Sequence, residues 1–189
     1  MKRTILFAAI LTVTLGFGVI AEEARVLSVD GLVQFRDTPA NQWSNLIGGS
    51  VIPVGAEIST GIGAAVVLDL DGSTLRVGSL SRVRVAELTR TAGETRNAVE
   101  MRYGRVQASV RRSAGRGTDF RVYTPISTAA VRGTEFVYDG QSLAVLHGDV
   151  AFINTAGQHH SVREGQVSRT YMSDPIESVE ATILEDRYF

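Results

Sequence analysis

The chain has no cysteine in its 189 residues. That excludes a disulfide framework, thiol catalysis, thiolate metal ligands and a cysteine-borne lipid anchor. Lysine is almost missing too, with Lys2 the single example. Proline is scarce at four, tryptophan occurs once, and aromatic residues make up 7%. Aromatics are nowhere interleaved with basic residues, so the stacking surface of a single-strand nucleic-acid binder is lacking. A formal net charge of −1 adds no overall attraction to nucleic acid. No residues pair as nucleophile and base or as acid and base. The chain therefore reads as a non-enzyme that needs no cofactor.

What is present begins at the N-terminus. Lys2 and Arg3 precede an apolar run from Thr4 to Ala21, with Gly16 and Gly18 near its end and Glu22-Glu23 after it. This pattern is that of a secretory signal peptide over residues 1–21, cleaved after Ala21, with Ala24 as a second candidate. The alternative is an uncleaved anchor, and only then does the chain contact a membrane. The run is at the short end for crossing a bilayer. Either reading puts the rest of the chain outside the cytoplasm, in the periplasm or secreted.

Basic charge in the remainder is all arginine, histidines aside. Twelve arginines fall between Arg76 and Arg132, against Glu87, Glu94, Glu100 and Asp119. Such a basic middle suits an acidic partner, a polyanion or an anionic lipid head group. It suits equally well a set of solvated strand faces, with arginine stems covering apolar surface.

From residue 22 to 172 the pattern is strand, turn, strand. Val83 and Val85 alternate with Arg82 and Arg84. Val99, Met101 and Tyr103 alternate with Glu100 and Arg102. Asp71-Gly72 is a two-residue hairpin signal. Short alternating segments broken by Gly or Asp predict one all-β domain. A Gly-x-Val step recurs at Gly31, Gly104, Gly148 and Gly165. A glycine ending one strand before an inward valine is how a stacked sheet turns a corner. The expected architecture is a coiling, solenoid-like stack of two sheets, with a β-sandwich as runner-up. Arg112–Gly117 and Thr89–Asn97 read as polar loops, the second the most mobile. Residues 173–189 form a tail that is helical, with Pro175 at the first helical position, or extended.

One segment carries a family resemblance. Thr124-Pro125-Ile126-Ser127-Thr128-Ala129-Ala130-Val131-Arg132-Gly133-Thr134-Glu135-Phe136 resembles the central motif of FecR-like domains. Val54 to Thr60 and Val67 to Ser73 resemble the opening strands, and Val145 to Val150, with Gly148 and Val150, resembles the closing step. The resemblance implies an extracytoplasmic all-β domain that acts by contact with an envelope protein. In the regulators that name the family, it is the periplasmic part of a sigma-regulating membrane protein. Here three residues precede the apolar run, so direct contact with a cytoplasmic sigma factor is not expected. Thr124, Pro125, Val131, Arg132, Gly133, Thr134, Phe136, Gly148 and Val150 are the family-motif positions, structural or partner-binding. A second role is weighed beside protein contact: binding of polysaccharide or peptidoglycan through the arginine-rich face.

Within the motif, Arg132 reads either as a partner contact or as an arginine satisfied inside the sheet stack, the second being preferred. Gly133 marks a position closed to a side chain, and Thr124 and Thr134 bond local backbone. His147, His159 and His160 lie within fourteen residues, but the spacing matches no ligand pattern, so no metal is expected. Asp69 and Asp71 could share a strand face as a carboxylate pair, although Asp71-Gly72 is a turn signal. Trp43 and Tyr103 read as core aromatics, with a sugar groove as the alternative.

Overall fold

The computed structural model describes residues 23–112, 115 and 117–170, and the backbone of 177–180. The signal-peptide reading of residues 1–21 lies outside the described residues. The first half of the chain forms β1 (Ala24–Asp30), β2 (Val33–Arg36), β3 (Ser44–Asn45), β4 (Val51–Ile52), β5 (Glu57–Thr60), β6 (Ala65–Leu70), β7 (Ser73–Val77), β8 (Arg82–Arg90) and β9 (Glu94–Tyr103). The second half forms β10 (Val106–Ser109), β11 (Gly117–Tyr123), β12 (Ser127–Val131), β13 (Glu135–Tyr138), β14 (Ser142–His147), β15 (Asp149–Asn154), β16 (His159–Arg163), β17 (Gln166–Arg169) and β18 (Glu177–Glu180). No helix occurs among the described residues.

The strands make two open sheets of nine. The first runs β4-β1-β6-β7-β10-β13-β14-β17-β18 and the second β3-β2-β5-β8-β9-β11-β12-β15-β16. Apart from the short outer strands β3 and β4, the order in each sheet follows the chain. The polypeptide therefore advances along both sheets together, crossing between them as it goes. Pairing is antiparallel except between β9 and β11, where the chain has crossed to β10 and returned in parallel.

The Gly-x-Val steps sit at these crossings. Gly31, Gly104, Gly148 and Gly165 each join a strand of one sheet to a strand of the other. All four have positive φ, from 69° to 107°. The valines that follow them, Val33, Val106, Val150 and Val167, are buried. The tightest corner is Gly104, where an added Cβ would lie 2.1 Å from Ser81 Oγ and 2.4 Å from Ser81 Cα.

The alternation seen in the sequence points apolar side chains of both sheets into one shared core. Leu68, Leu75, Val106, Phe136 and Tyr138 of the first sheet meet Val85, Met101, Phe120, Val122 and Phe152 of the second. Burying each such side chain stabilises the fold by about 1.5–3 kcal/mol. The Tyr138 and Phe152 rings cross edge to face, with centroids 6.0 Å apart. A smaller cluster, Val137, Ala144 and Val167, lies on the opposite side of the first sheet.

Two sequence-based expectations are corrected. Thr89–Asn97 is not a loop. Arg90 pairs with Thr95, Thr89 with Arg96 and Leu88 with Asn97, so β8 and β9 form one long hairpin around Thr91–Gly93. Its polar residues are compatible with strand because Thr95 and Asn97 are buried, and Asn97 Nδ2 donates to the Leu70 carbonyl at 2.9 Å. The helical reading of the tail also fails where the tail is described, since Glu177–Glu180 pairs antiparallel with β17. The remainder of that tail lies outside the described residues.

Candidate functional site

The family-motif residues form the corner between β11, β12 and β13. Thr124 Oγ1 accepts from the Ile126 and Ser127 amides, at 3.3 and 3.1 Å, and closes the turn at exposed Pro125. The buried Tyr138 hydroxyl donates to the Ser127 carbonyl at 2.9 Å and lies 2.6 Å from Ser127 Oγ. Burial pushes the Tyr138 phenol above its ordinary pKa, against the hydrogen bonds from Ser127 and Thr124. Val131, Phe136 and Val150 are core.

Past the corner, Thr134 Oγ1 donates to the Asp149 carbonyl at 2.8 Å, fifteen residues away, so it ties two strands rather than bonding local backbone. Gly148 packs against that hydroxyl, which a Cβ would approach to 3.1 Å. Gly133, at φ 94°, lies under Arg112, whose Nε donates to the Arg132 carbonyl at 2.8 Å. A Cβ on Gly133 would fall 2.1 Å from Arg112 Cγ. These positions hold the two sheets together.

Arg132 differs from the expectation. It is exposed, not inside the stack. Its position two residues beyond Ala130 puts it at the rim of the second sheet, where its charge stays hydrated and needs no buried partner. There it borders a shallow depression of about 760 Å³, lined in part by Arg112, Asp119, Arg121, Ala151 and Asp149. A neighbouring depression shares Asp119, Arg121 and Thr128 and extends toward Glu87 and Arg96. Together they make one broad, concave outer face.

The strand register explains this shape. One row across the sheet is Glu87, Ala98, Arg121, Ala130, Ala151 and Ser161. Small side chains at four of the six positions form a floor, and charged ones form walls. A parallel row is Arg36, Glu57, Arg84, Glu100, Tyr123, Thr128, Ile153 and His159. Arginine and glutamate alternate over its first four strands. Opposite charges facing each other on adjacent strands are mutually stabilising.

The arginine-rich middle is thus a paired lattice. Arg84 bonds Glu100, Arg96 bonds Glu94 at 2.7 Å, and Arg121 Nε donates to Asp119 at 2.9 Å. Glu57, which the sequence did not single out, is the most deeply placed. It is 1% exposed and receives Arg36 Nε at 2.9 Å, Arg36 Nη2 at 2.6 Å and Arg82 Nη2 at 2.8 Å, all on Oε2. Burial alone would raise its pKa. Hydrogen bonds and charge from Arg82 and Arg36 outweigh that and hold it below the usual 4.5. Only cross-strand register reveals this cluster, because its members are spread from residue 36 to 102.

The remaining candidates fall into place. Trp43 is not core. It is half-buried, with the Arg36 and Arg82 guanidinium carbons 4.7 and 5.0 Å from its ring centre. Tyr103 is exposed, because it ends β9 beyond a bulge. Asp71 and Gly72, at φ 54° and 80°, form the predicted two-residue turn, and Asp69 accepts from the Gly72 amide at 2.8 Å. His147 pairs with Glu164 at 3.0 Å. Among the described residues, no three His, Asp or Glu side chains gather around a common point.

With this geometry in place, comparison with known proteins is decisive for the family. The sequence model described as "FecR protein" matches residues 56–151, half of the chain. The chain belongs to the FecR family. No curated protein matches it. Two crystal structures, at 2.50 and 1.65 Å resolution, of a protein from Parabacteroides distasonis ATCC 8503 named as a putative anti-sigma factor are similar in fold. Each is 20% identical, with a TM-score of 0.55 over 66% of this chain and 59% of that protein. The chain therefore spans somewhat more than half the length of that relative.

Proposed function

We propose that this FecR-family chain is a non-enzymatic module of the cell envelope that acts by protein–protein contact, in a regulatory or sensing role. On this reading residues 1–21 direct export, the domain works in the periplasm or outside the cell, and the chain winds as a coiling two-sheet stack. Family membership supports the regulatory role, as does a fold shared with a protein named as a putative anti-sigma factor.

The observation that carries the reading is the outer face of the second sheet. Its floor of Ala98, Ala130 and Ala151 leaves backbone close to the surface, and its walls alternate in sign. Mixed charges in fixed positions select a complementary protein surface by matching signs, and penalise a mismatched one. Polysaccharide binding through an arginine-rich face is less favoured. Outside the cluster around Glu57, Arg84, Arg96 and Arg121 each have a carboxylate beside them, so a polyanion laid along the face meets no uniform positive potential.

The test is co-purification of the exported, tagged chain from envelope extracts. The wild-type chain retains one defined protein at stoichiometric yield. The R121E/R132E variant, still folded, loses it. Retention by purified cell wall, with no protein partner, overturns the reading.

A further inference from the structure

We propose that the arginine cluster around Glu57 is an anchor for a carboxylate side chain on an acidic segment of the protein partner, an inference that rests on the protein-contact reading above. Arg36, Arg82 and Arg102 converge on the single Glu57 carboxylate, leaving two positive charges in surplus. The neighbouring Arg84 and Glu100 neutralise each other and do not reduce that surplus. Elsewhere on the face Arg84, Arg96 and Arg121 each have their own carboxylate, whereas here three arginines share one.

The three arginines are not equivalent. Arg36 and Arg82 are fixed by short bonds to Oε2 and by stacking on Trp43. Arg102 is half exposed and stands 3.3 Å from Oε1. Oε1 itself is buried and makes no hydrogen bond. Arg102 therefore contributes charge to Glu57 without spending its donors there. A guanidinium carries five N–H groups in a planar fork suited to carboxylates. The Arg102 side chain is half exposed, and it shares Glu57 with the two guanidiniums that cover the Trp43 ring. Glu57 shows in place that these forks accept a carboxylate.

Composition points to a protein as the source of that carboxylate. Trp, Tyr and Arg dominate the energetic centres of protein interfaces. Here Trp43, exposed Tyr103 and three arginines share one end of the sheet. A buried, half-satisfied carboxylate below them makes the arrangement rigid before any partner arrives, which lowers the ordering cost of binding.

Trp43 is the chain's one tryptophan, so its fluorescence reports on this site alone. The probe is an acetylated hexaglutamate peptide, with hexaglutamine as control, titrated into the intact chain. Hexaglutamate gives a saturable change in Trp43 emission and hexaglutamine none. R102A weakens that binding by about tenfold or more with only the small shift of the unfolding midpoint that a half-exposed ion pair allows, and R102K recovers part of the binding. An absent response, or equal binding by R102A, overturns the site. So does equal or tighter competition by inorganic phosphate or by phosphatidylglycerol vesicles, which would assign it to a small anion or a lipid. An R102A chain that still retains the envelope partner removes this anchor and leaves the protein-contact reading intact. A wild-type chain that retains no envelope protein removes that reading, whatever the peptide does.

Discussion

The Tyr138 hydroxyl, on the first sheet, donates across the interior to the Ser127 carbonyl on the second at 2.9 Å. The same carbonyl accepts the Thr124 amide at 2.8 Å, so the family-motif turn and the sheet-to-sheet tie share one acceptor. Y138F is therefore expected to cost about 1 kcal/mol, the net worth of one buried hydrogen bond whose acceptor keeps another donor. Y138A, which also removes the ring packed on Phe152, is expected to cost about 3–5 kcal/mol. Denaturant midpoints of the two variants check the difference.

Corner glycines give a second prediction. G104A meets Ser81 backbone as well as side chain and must adopt φ 107°. It is expected to lose at least about 2 kcal/mol, from strain and overpacking together. Gly157 also has positive φ, at 77°, but open space around it. G157A is expected to lose only the backbone strain, about 1 kcal/mol. Thermal unfolding of the pair separates crowding from conformation.

Glu57 makes stability depend on acid. Its folded pKa lies below its ordinary 4.5. A depressed carboxylate contributes stability that is fully present above the unfolded value and lost as pH falls through the folded one. The wild-type urea midpoint should therefore hold from pH 7 to about 5 and drop below pH 4.5. E57Q should be less stable at pH 7 by about 1.5–3 kcal/mol, the range for a hydrogen bond to a charged group. It should also show a weaker decline in acid.

Much of this was legible in the sequence. The alternation of Val83, Val85, Val99 and Met101 with charged neighbours named the inward face correctly, because a period of two leaves a strand no other way to bury them. Gly31, Gly104, Gly148 and Gly165 marked corners, since each needs a backbone that only glycine adopts cheaply. Asp71-Gly72 named its turn for the same reason. What stayed hidden depends on register between distant strands. Glu57 finds Arg36, Arg82 and Arg102 only after four strands align. Thr89–Asn97 looked like a loop because nothing in the sequence shows that Thr95 and Asn97 turn inward, or that the Asn97 amide meets the Leu70 carbonyl of another strand. Trp43 looked like core because sequence gives no sign of the two cations that cover it.

Surface arginines of the second sheet should matter for contact and not for folding. Arg121 pairs with Asp119 at an exposed site, and such pairs are worth between zero and about 1 kcal/mol. R121A should shift the unfolding midpoint little while reducing partner retention. A large loss of stability would show that the lattice is structural alone.

The most direct test of the account is photo-crosslinking from the concave face. A photoreactive residue at Ala130, on the floor of the second sheet, and another at Arg76, exposed on the first sheet, are compared in the intact chain under native conditions. One defined protein adduct is expected from position 130 and none from position 76. An adduct from position 76 alone, or attachment at 130 to polysaccharide with no protein, would contradict it.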